Sequence, residues 1–192
     1  MNYKSICVFC SSSDAIDQSY MNLASELGQY FGKNNIRLVH GAGKIGLMGA
    51  LSRAVKYEGG YVTGVIPKLL YRAGIFSEID DEMIVTETMH ERKKIMHEKS
   101  DAFIALPGGF GTLEELLEII TLKQLRYHKK PIVILNHNNF YRHLLQQFEM
   151  MYTEKFSKGG YSSLYYVAEN LNDVFTYLET YSYQITEDKW FR

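Results

Sequence analysis

An α/β fold is predicted by three observations on this 192-residue sequence. Short apolar runs that read as buried strands alternate with stretches whose apolar residues recur at helical spacing. With 46% hydrophobic and 22% charged residues the chain can bury a sizeable core, and its length suits one domain, residues 1–192, better than two. Three of the strand-like runs are followed by loops rich in serine or glycine, at residues 11–13, 41–46 and 107–112. Alternating strands and helices mean a mostly parallel sheet with helices on both faces, the doubly wound, Rossmann-like arrangement. Ligands of such sheets sit beyond the carboxyl ends of the strands, where the strand order reverses. Three loops of this composition at strand ends therefore point to a nucleotide-like ligand.

The elements follow in order. Residues 5–10 read as the first strand, and Ser11-Ser12-Ser13-Asp14 as a polar loop that suits a phosphate or ribose, or caps the next helix. That helix runs from Asp17 to about Lys33, with Leu23, Leu27, Tyr30 and Phe31 on its apolar side, and Asn34-Asn35 ends it. Residues 36–39 form a second strand. Gly41-Ala42-Gly43-Lys44-Ile45-Gly46 matches the dinucleotide pattern G-x-G-x-x-G, and a helix follows from Leu47 to about Tyr57. The next strand, residues 61–66, ends in Pro67-Lys68, where a nicotinamide site needs an acid for the ribose hydroxyls. The loop reads instead as a second nucleotide-facing glycine turn, or as close packing of helix on strand. A nicotinamide-dependent oxidoreductase is disfavoured on the same ground.

Residues 68–81 are irregular around Gly74, and residues 83–85 make a short strand. Thr88 and Glu91 form a capping box for a helix that begins near Met89 and carries Arg92, Lys93 and Lys94. Residues 102–106 and 131–135 are buried-type strands. A helix ends near Tyr127, and another covers residues 140–154 with Leu144, Leu145, Phe148 and Met151 as its stripe. Residues 156–166 form a glycine-containing connection, and Val174, Phe175 and Leu178 mark a last helix. The tyrosine-rich tail, ending Lys189-Trp190-Phe191-Arg192, is a candidate subunit contact.

The chain is organised around Pro107-Gly108-Gly109-Phe110-Gly111-Thr112-Leu113-Glu114-Glu115, a strand end, a glycine loop and a helix start. Glycines let the backbone turn tightly and admit a ligand close to it, and the loop N–H groups with the helix N-terminus suit an anion such as a phosphate. Two readings of Glu115 stand side by side. Thr112 and Glu115 have the spacing of a capping box, with Thr112 as N-cap. Alternatively an anion takes the loop donors and Glu115 faces the ligand, its charged form favoured by the helix N-terminus and suited to charge stabilisation or water activation.

The formal net charge of −1 gives no reason to expect nucleic acid as a partner. The first residues lead straight into a strand and no long apolar span follows, so a cytoplasmic protein without membrane association is expected. Cys7 and Cys10 lie in the first strand, where residues three apart face opposite sides, and read as small buried residues in a reducing compartment. His90 and His97 are two turns apart and there is no H-E-x-x-H pattern, so no metal site is expected.

The residues from Pro107 to Glu115 resemble the P-G-G-x-G-T-x-x-E signature of the LOG ("lonely guy") family, and Met89-His90-Glu91-Arg92-Lys93 resembles its M-H-x-R-K motif. Residues 6–13 and 41–49 are similar to its first strand and first glycine loop, and the likeness extends to about Glu154. The resemblance implies a Rossmann-like fold, usually dimeric, and a phosphoribohydrolase. Such enzymes cleave the N-glycosidic bond of cytokinin riboside 5′-monophosphates, many also that of AMP, to free base and ribose 5-phosphate. No metal or redox cofactor is required, and the partners implied are a nucleoside 5′-monophosphate and a second copy of the chain. By position, Arg92 and Glu115 match the catalytic pair and Lys93 a substrate-binding residue. Gly108, Gly109, Phe110, Gly111 and Thr112 match the phosphate-binding loop, and Thr121 a ligand-contacting threonine. Ser12 and Gly43 are the candidate contacts from the first two loops. Ser11 and Ala42 stand where plant members have glycine, and Tyr71-Arg72-Ala73-Gly74 replaces a stretch with a substrate-contacting glutamate. Related sequences also carry the label lysine decarboxylase, a reaction that calls for a pyridoxal phosphate Schiff-base lysine, which nothing in this sequence nominates. The alternative of another class is a nucleotide-binding module without hydrolysis.

Overall fold

The computed structural model describes residues 3–184. Its strands are β1 (Ser5–Phe9), β2 (Arg37–His40), β3 (Val62–Pro67), β4 (Glu82–Thr86), β5 (Ala102–Ala105), β6 (Ile132–Leu135) and β7 (Tyr166–Ala168). They form one seven-stranded sheet in the order β4-β3-β2-β1-β5-β6-β7, and every pairing is parallel. Helices α1 (Gln18–Lys33), α2 (Gly46–Tyr57), α3 (Met89–Glu98), α4 (Phe110–Gln124) and α5 (Arg142–Thr153) join successive strands, except that β3 reaches β4 through an irregular segment with one 3-10 turn, Lys68–Leu70, and α6 (Leu171–Thr180) follows β7.

Side-chain alternation along the strands divides the core in two. Ile6, Val8 and Cys10 point to one face, against Leu27 and Phe31 of α1, Leu51 of α2 and Phe175 of α6. Cys7 and Phe9 point to the other, against Met96 of α3, Leu116 and Ile119 of α4 and Phe148 of α5. Cys7 and Cys10 are thus free, buried and on opposite faces, as strand geometry dictates. Each fully buried side chain such as Leu27 or Phe31 contributes about 1.5–3 kcal/mol by leaving water.

Local signals set most boundaries. The Asp17 side chain accepts from the Ser19 N–H and caps α1. Thr88 caps α3 by accepting from the Glu91 N–H at 3.1 Å, while the Glu91 carboxylate accepts from the N–H of Glu87, one residue before the cap. Two stretches differ from the sequence reading. Asn138 and Asn139 adopt φ of 53° and 57°, so a 3-10 turn, His137–Asn139, precedes α5 and delays its start to Arg142. The connection after α5 contains the 3-10 segment Gly159–Leu164 and then β7, a three-residue edge strand that alternation cannot reveal. The expected contact of residues 189–192 lies outside the described residues. No helix among the described residues is long and apolar enough to cross a membrane.

Candidate active site

The chain runs outward from β1 through β4, then returns to place β5 on the other side of β1. The loops leaving β1 and β5 diverge there, which opens the crevice expected at a switch point. The Ser11 N–H donates to the Pro107 carbonyl at 3.3 Å, and the N–H groups of Leu47 and Met48 donate to the Ser11 carbonyl. Gly46 has φ of +62°, and a Cβ there would stand 2.6 Å from the Ser13 carbonyl oxygen. Only glycine lets the α2 start and the serine loop meet this closely.

The three loops enclose a cavity of about 550 Å³. Its polar lining includes Ser12, Gly43, Arg92, Gly109, Thr112 and Glu115; Ile45, Met48, Leu70, Ile75 and Met89 make its apolar walls. The volume is in the usual range for a small-molecule site. Helix α4 begins at Phe110 with Gly109 as its N-cap, so the first N–H groups have no side-chain cap. The helix N-terminus with its open N–H groups is a ready anion cradle. A Cβ on Gly109 or Gly111 would meet nothing within 4 Å, whereas one on Gly108 would lie 2.1 Å from Thr112 Oγ1. The first two glycine roles therefore differ: Gly108 makes room for Thr112, and Gly109 faces open space.

The capping-box reading of Glu115 does not hold. Thr112 lies inside α4 and does not cap it, and no acid falls in the first turn. Glu115 is one turn further in, where its Oε1 accepts from Arg92 Nη1 at 2.7 Å. Arg92 Nε donates to the Val65 carbonyl at 2.9 Å. A Cβ on Gly41 would come within 2.0 Å of Arg92 Nη2, so the glycine after β2 makes space for the guanidinium. One ion pair is thus placed by β3, α3, α4 and the β2–α2 loop together. Arg92 and Glu115 are 6% and 8% exposed, and so largely removed from water. Burial pushes the Glu115 carboxyl above its ordinary value, and the Arg92 charge and hydrogen bond offset part of the rise. The expected favouring of its charged form by the helix start is reversed, because the side chain sits past the first turn and is desolvated.

The remaining candidates fall into two groups. Ser12, Gly43, Gly109, Phe110, Gly111 and Thr112 come together around the cavity, with Phe110 93% exposed at the rim. Lys93, Gly108 and Thr121 do not line it. Lys93 instead pairs with Glu114, which itself lines the cavity, and, at 3.2 Å, with Glu118. Burial works to lower the Lys93 ammonium, but the two carboxylates outweigh it and its pKa ends raised. Thr121 is exposed and returns its hydroxyl to the Leu117 carbonyl at 2.8 Å. Ala42 is buried at φ of 58°, a left-handed position where glycine is at home. The sequence reading missed Tyr141, whose hydroxyl donates to the Leu106 carbonyl at 2.6 Å and fixes the backbone just before Pro107. Among the described residues no three His, Cys, Asp or Glu side chains converge as metal ligands.

Comparison with known proteins bears on this arrangement. The family described as "possible lysine decarboxylase" matches residues 48–178. The chain is 42% identical to cytokinin riboside 5′-monophosphate phosphoribohydrolase LOG5 of Arabidopsis thaliana over 179 residues, 93% of this chain and 78% of that protein. It is 49% identical to LOG1 of the same plant over 154 residues, 80% of this chain and 72% of that one. Among solved structures, the molybdenum cofactor binding protein from Rippkaea orientalis superposes with a TM-score of 0.71 at 22% identity, over 94% of this chain and 98% of that one. That likeness is one of fold. The extended identity to the plant proteins, with the cradle and ion pair in place, makes this chain a member of the LOG family of phosphoribohydrolase homologues.

Proposed function

We propose that this protein hydrolyses the N-glycosidic bond of a nucleoside 5′-monophosphate, AMP or a cytokinin riboside 5′-monophosphate, releasing free base and ribose 5-phosphate. The observation that carries the reading is the buried Arg92–Glu115 pair standing beside an open helix N-terminus in one cavity. The N–H groups of Gly109 and Gly111, with Thr112, hold the 5′-phosphate, and Ser12 and Gly43 contact the nucleotide from the facing loops. Binding energy from the phosphate positions the ribose over Glu115. As the bond to the base breaks, positive charge grows on the ribose ring. The Glu115 carboxylate stabilises that charge, orients the attacking water and takes its proton as the hydroxyl adds to the anomeric carbon. Its burial, which raises its proton affinity, suits it to that last task. Arg92 keeps Glu115 ionised and aimed. The departing base takes up a proton from solvent and leaves along the apolar wall of Leu70 and Ile75, and Glu115 returns to solvent the proton it took from the water. No metal or redox cofactor enters these steps.

The reading includes a homodimer. Phe110 and Leu117, a helical repeat apart on α4, are 93% and 41% exposed. Lys93 and Thr121 flank the same face and would meet ligand only with a second copy against it. A cytoplasmic location accords with two free, buried cysteines.

The test is chromatography of the protein incubated with AMP, with isopentenyladenosine monophosphate, and with adenosine as the phosphate-free control. Base released from either nucleotide but not from adenosine is the expected result, and the ratio of the two rates assigns the substrate. Binding of AMP with no base released would transfer the reading to a nucleotide-binding module.

A further inference from the structure

Residues 68–81 form a strap that carries Leu70, Gly74 and Ile75 onto one side of the cavity. Apolar packing holds it weakly: residues 68–75 are all exposed, and Phe76 is half-buried against Tyr71. Its attachments are polar. The Lys44 N–H donates to the Ile75 carbonyl at 2.9 Å and the Ser77 N–H to the Ala42 carbonyl at 2.8 Å, a short antiparallel bridge to the β2–α2 loop. Behind that bridge lies a chain of three side chains. Ser77 Oγ donates to Asp80 Oδ1 at 2.6 Å, and His40 Nε2 donates to Asp80 Oδ2 at 2.9 Å. The side chains of His40 and Asp80 are both 0% exposed.

The surroundings are shaped for this contact. A Cβ on Gly64 of β3 would lie 2.2 Å from Asp80 Oδ2, so that strand position leaves space for the carboxylate. Among the described residues His40 Nδ1 is buried with no partner, and the ring's one polar contact is the bond to Asp80. His40 ends β2 and directly precedes Gly41, whose missing side chain admits the Arg92 guanidinium. The same backbone thus joins the ion pair to the strap.

We infer that His40, Asp80 and Ser77 form a buried latch that sets the position of the strap, and are positioning residues for the base end of the bound nucleotide. The inference rests on the reading under Proposed function. The phosphate end lies across the cavity on α4, whereas the strap offers the apolar Leu70 and Ile75, which suit the flat face of a base. Opening the latch moves the base-facing wall and leaves the phosphate cradle in place.

The test uses Asp80→Ala, its conservative counterpart Asp80→Asn, and Ser77→Ala. Asp80→Ala is expected to raise the AMP KM about tenfold, with kcat held within about threefold and affinity for ribose 5-phosphate, which lacks the base, held within about twofold. Exchange of the Lys44 and Ser77 amide hydrogens should quicken about tenfold in the same variant. Asp80→Asn, which keeps an acceptor for His40, should recover most of the loss. Equal weakening of AMP and ribose 5-phosphate, or an unchanged AMP KM, overturns the inference. Should Asp80→Ala not fold, Ser77→Ala, which cuts one arm, is judged by the same contrast at about threefold. If the wild-type protein binds AMP without cleaving it, the hydrolytic reading fails, and calorimetric affinities for AMP and ribose 5-phosphate still decide the latch.

Discussion

Replacing Glu115 with glutamine removes one negative charge while keeping an oxygen where Oε1 accepts from Arg92 at 2.7 Å. Two effects follow, and their sizes separate a catalytic from a structural role. On stability, deleting a buried partner outright costs about 3–5 kcal/mol, because the other charge is left unpaired. Here the amide oxygen still receives the guanidinium, the Val65 carbonyl still accepts from Nε, and a desolvated carboxylate is removed. The net loss is then about 1–2 kcal/mol, the scale of one weakened hydrogen bond. For a chain of this length that lowers the melting temperature by about 2–8 °C. On catalysis, a neutral amide neither offsets charge on the ribose nor accepts a proton from water. Loss of about a thousandfold in turnover corresponds to about 4 kcal/mol of transition-state stabilisation. AMP affinity changes by no more than about threefold, since the phosphate cradle is untouched. The assay is base release from AMP by chromatography, beside AMP titration calorimetry and thermal melting of the same preparation. Turnover within about tenfold of wild type, at any melting temperature, would refute the role given to Glu115.

Because burial raises the Glu115 carboxyl, AMP hydrolysis should fail in acid through a pKa above the ordinary 4.5, and an acid limb of kcat/KM at or below that value would contradict the carboxylate role. Gly111→Ala should melt like wild type, since its Cβ enters open space, yet lose at least about tenfold in AMP affinity; Gly108→Ala should instead lose about 1–3 kcal/mol of stability in chemical denaturation as Thr112 is displaced. His128 is buried, with Nε2 donating to the Ile119 carbonyl at 2.9 Å and Nδ1 accepting from the Lys130 N–H at 3.2 Å, which fixes the neutral ring. Burial lowers its pKa from 6.5 to about 4, so the unfolded chain takes up the proton first. Its share of stability is intact above pH 6.5 and is lost as pH falls towards 4, by about 3 kcal/mol, and chemical denaturation of His128→Asn beside wild type at both pH values measures it. Phe110→Asp should convert a dimer to monomer in light-scattering chromatography, and an unchanged mass would remove α4 from the subunit interface.

The features legible in the sequence are those that short-range physics writes locally. Apolar runs, helical spacing and the Asp17 and Thr88 caps place nearly every element. Three loops at strand ends locate the cavity, because a parallel sheet gathers its strand ends on one side. What is not legible depends on partners distant in the chain. The spacing of Thr112 and Glu115 satisfies a capping box, but the helix begins earlier, at Phe110, and Arg92 takes the carboxylate. Gly41 looks like part of a dinucleotide turn and in the fold clears space for Arg92. The bond of His40 to Asp80 joins a strand end to an irregular segment, and no periodicity announces it. β7 is too short to alternate, and the two asparagines before α5 turn left-handed where a continuous helix is expected.

The seam between β1 and β5 has a consequence for the order in which the protein matures. Cys7 pairs with Phe103 and Phe9 with Ala105, so the seam joins the first strand made to one made much later. During synthesis β1 to β4 are complete before β5 emerges, and domains are built from the N-terminus onward. A nascent chain at that stage has the serine and first glycine loops but no cradle, and Arg92 has no carboxylate to meet. Closing so long a loop carries an entropic penalty that only the formed seam repays. The cavity is therefore complete only with the docking of β5 on β1, and a nucleotide bound across the seam as proposed would act as a clamp against its reopening.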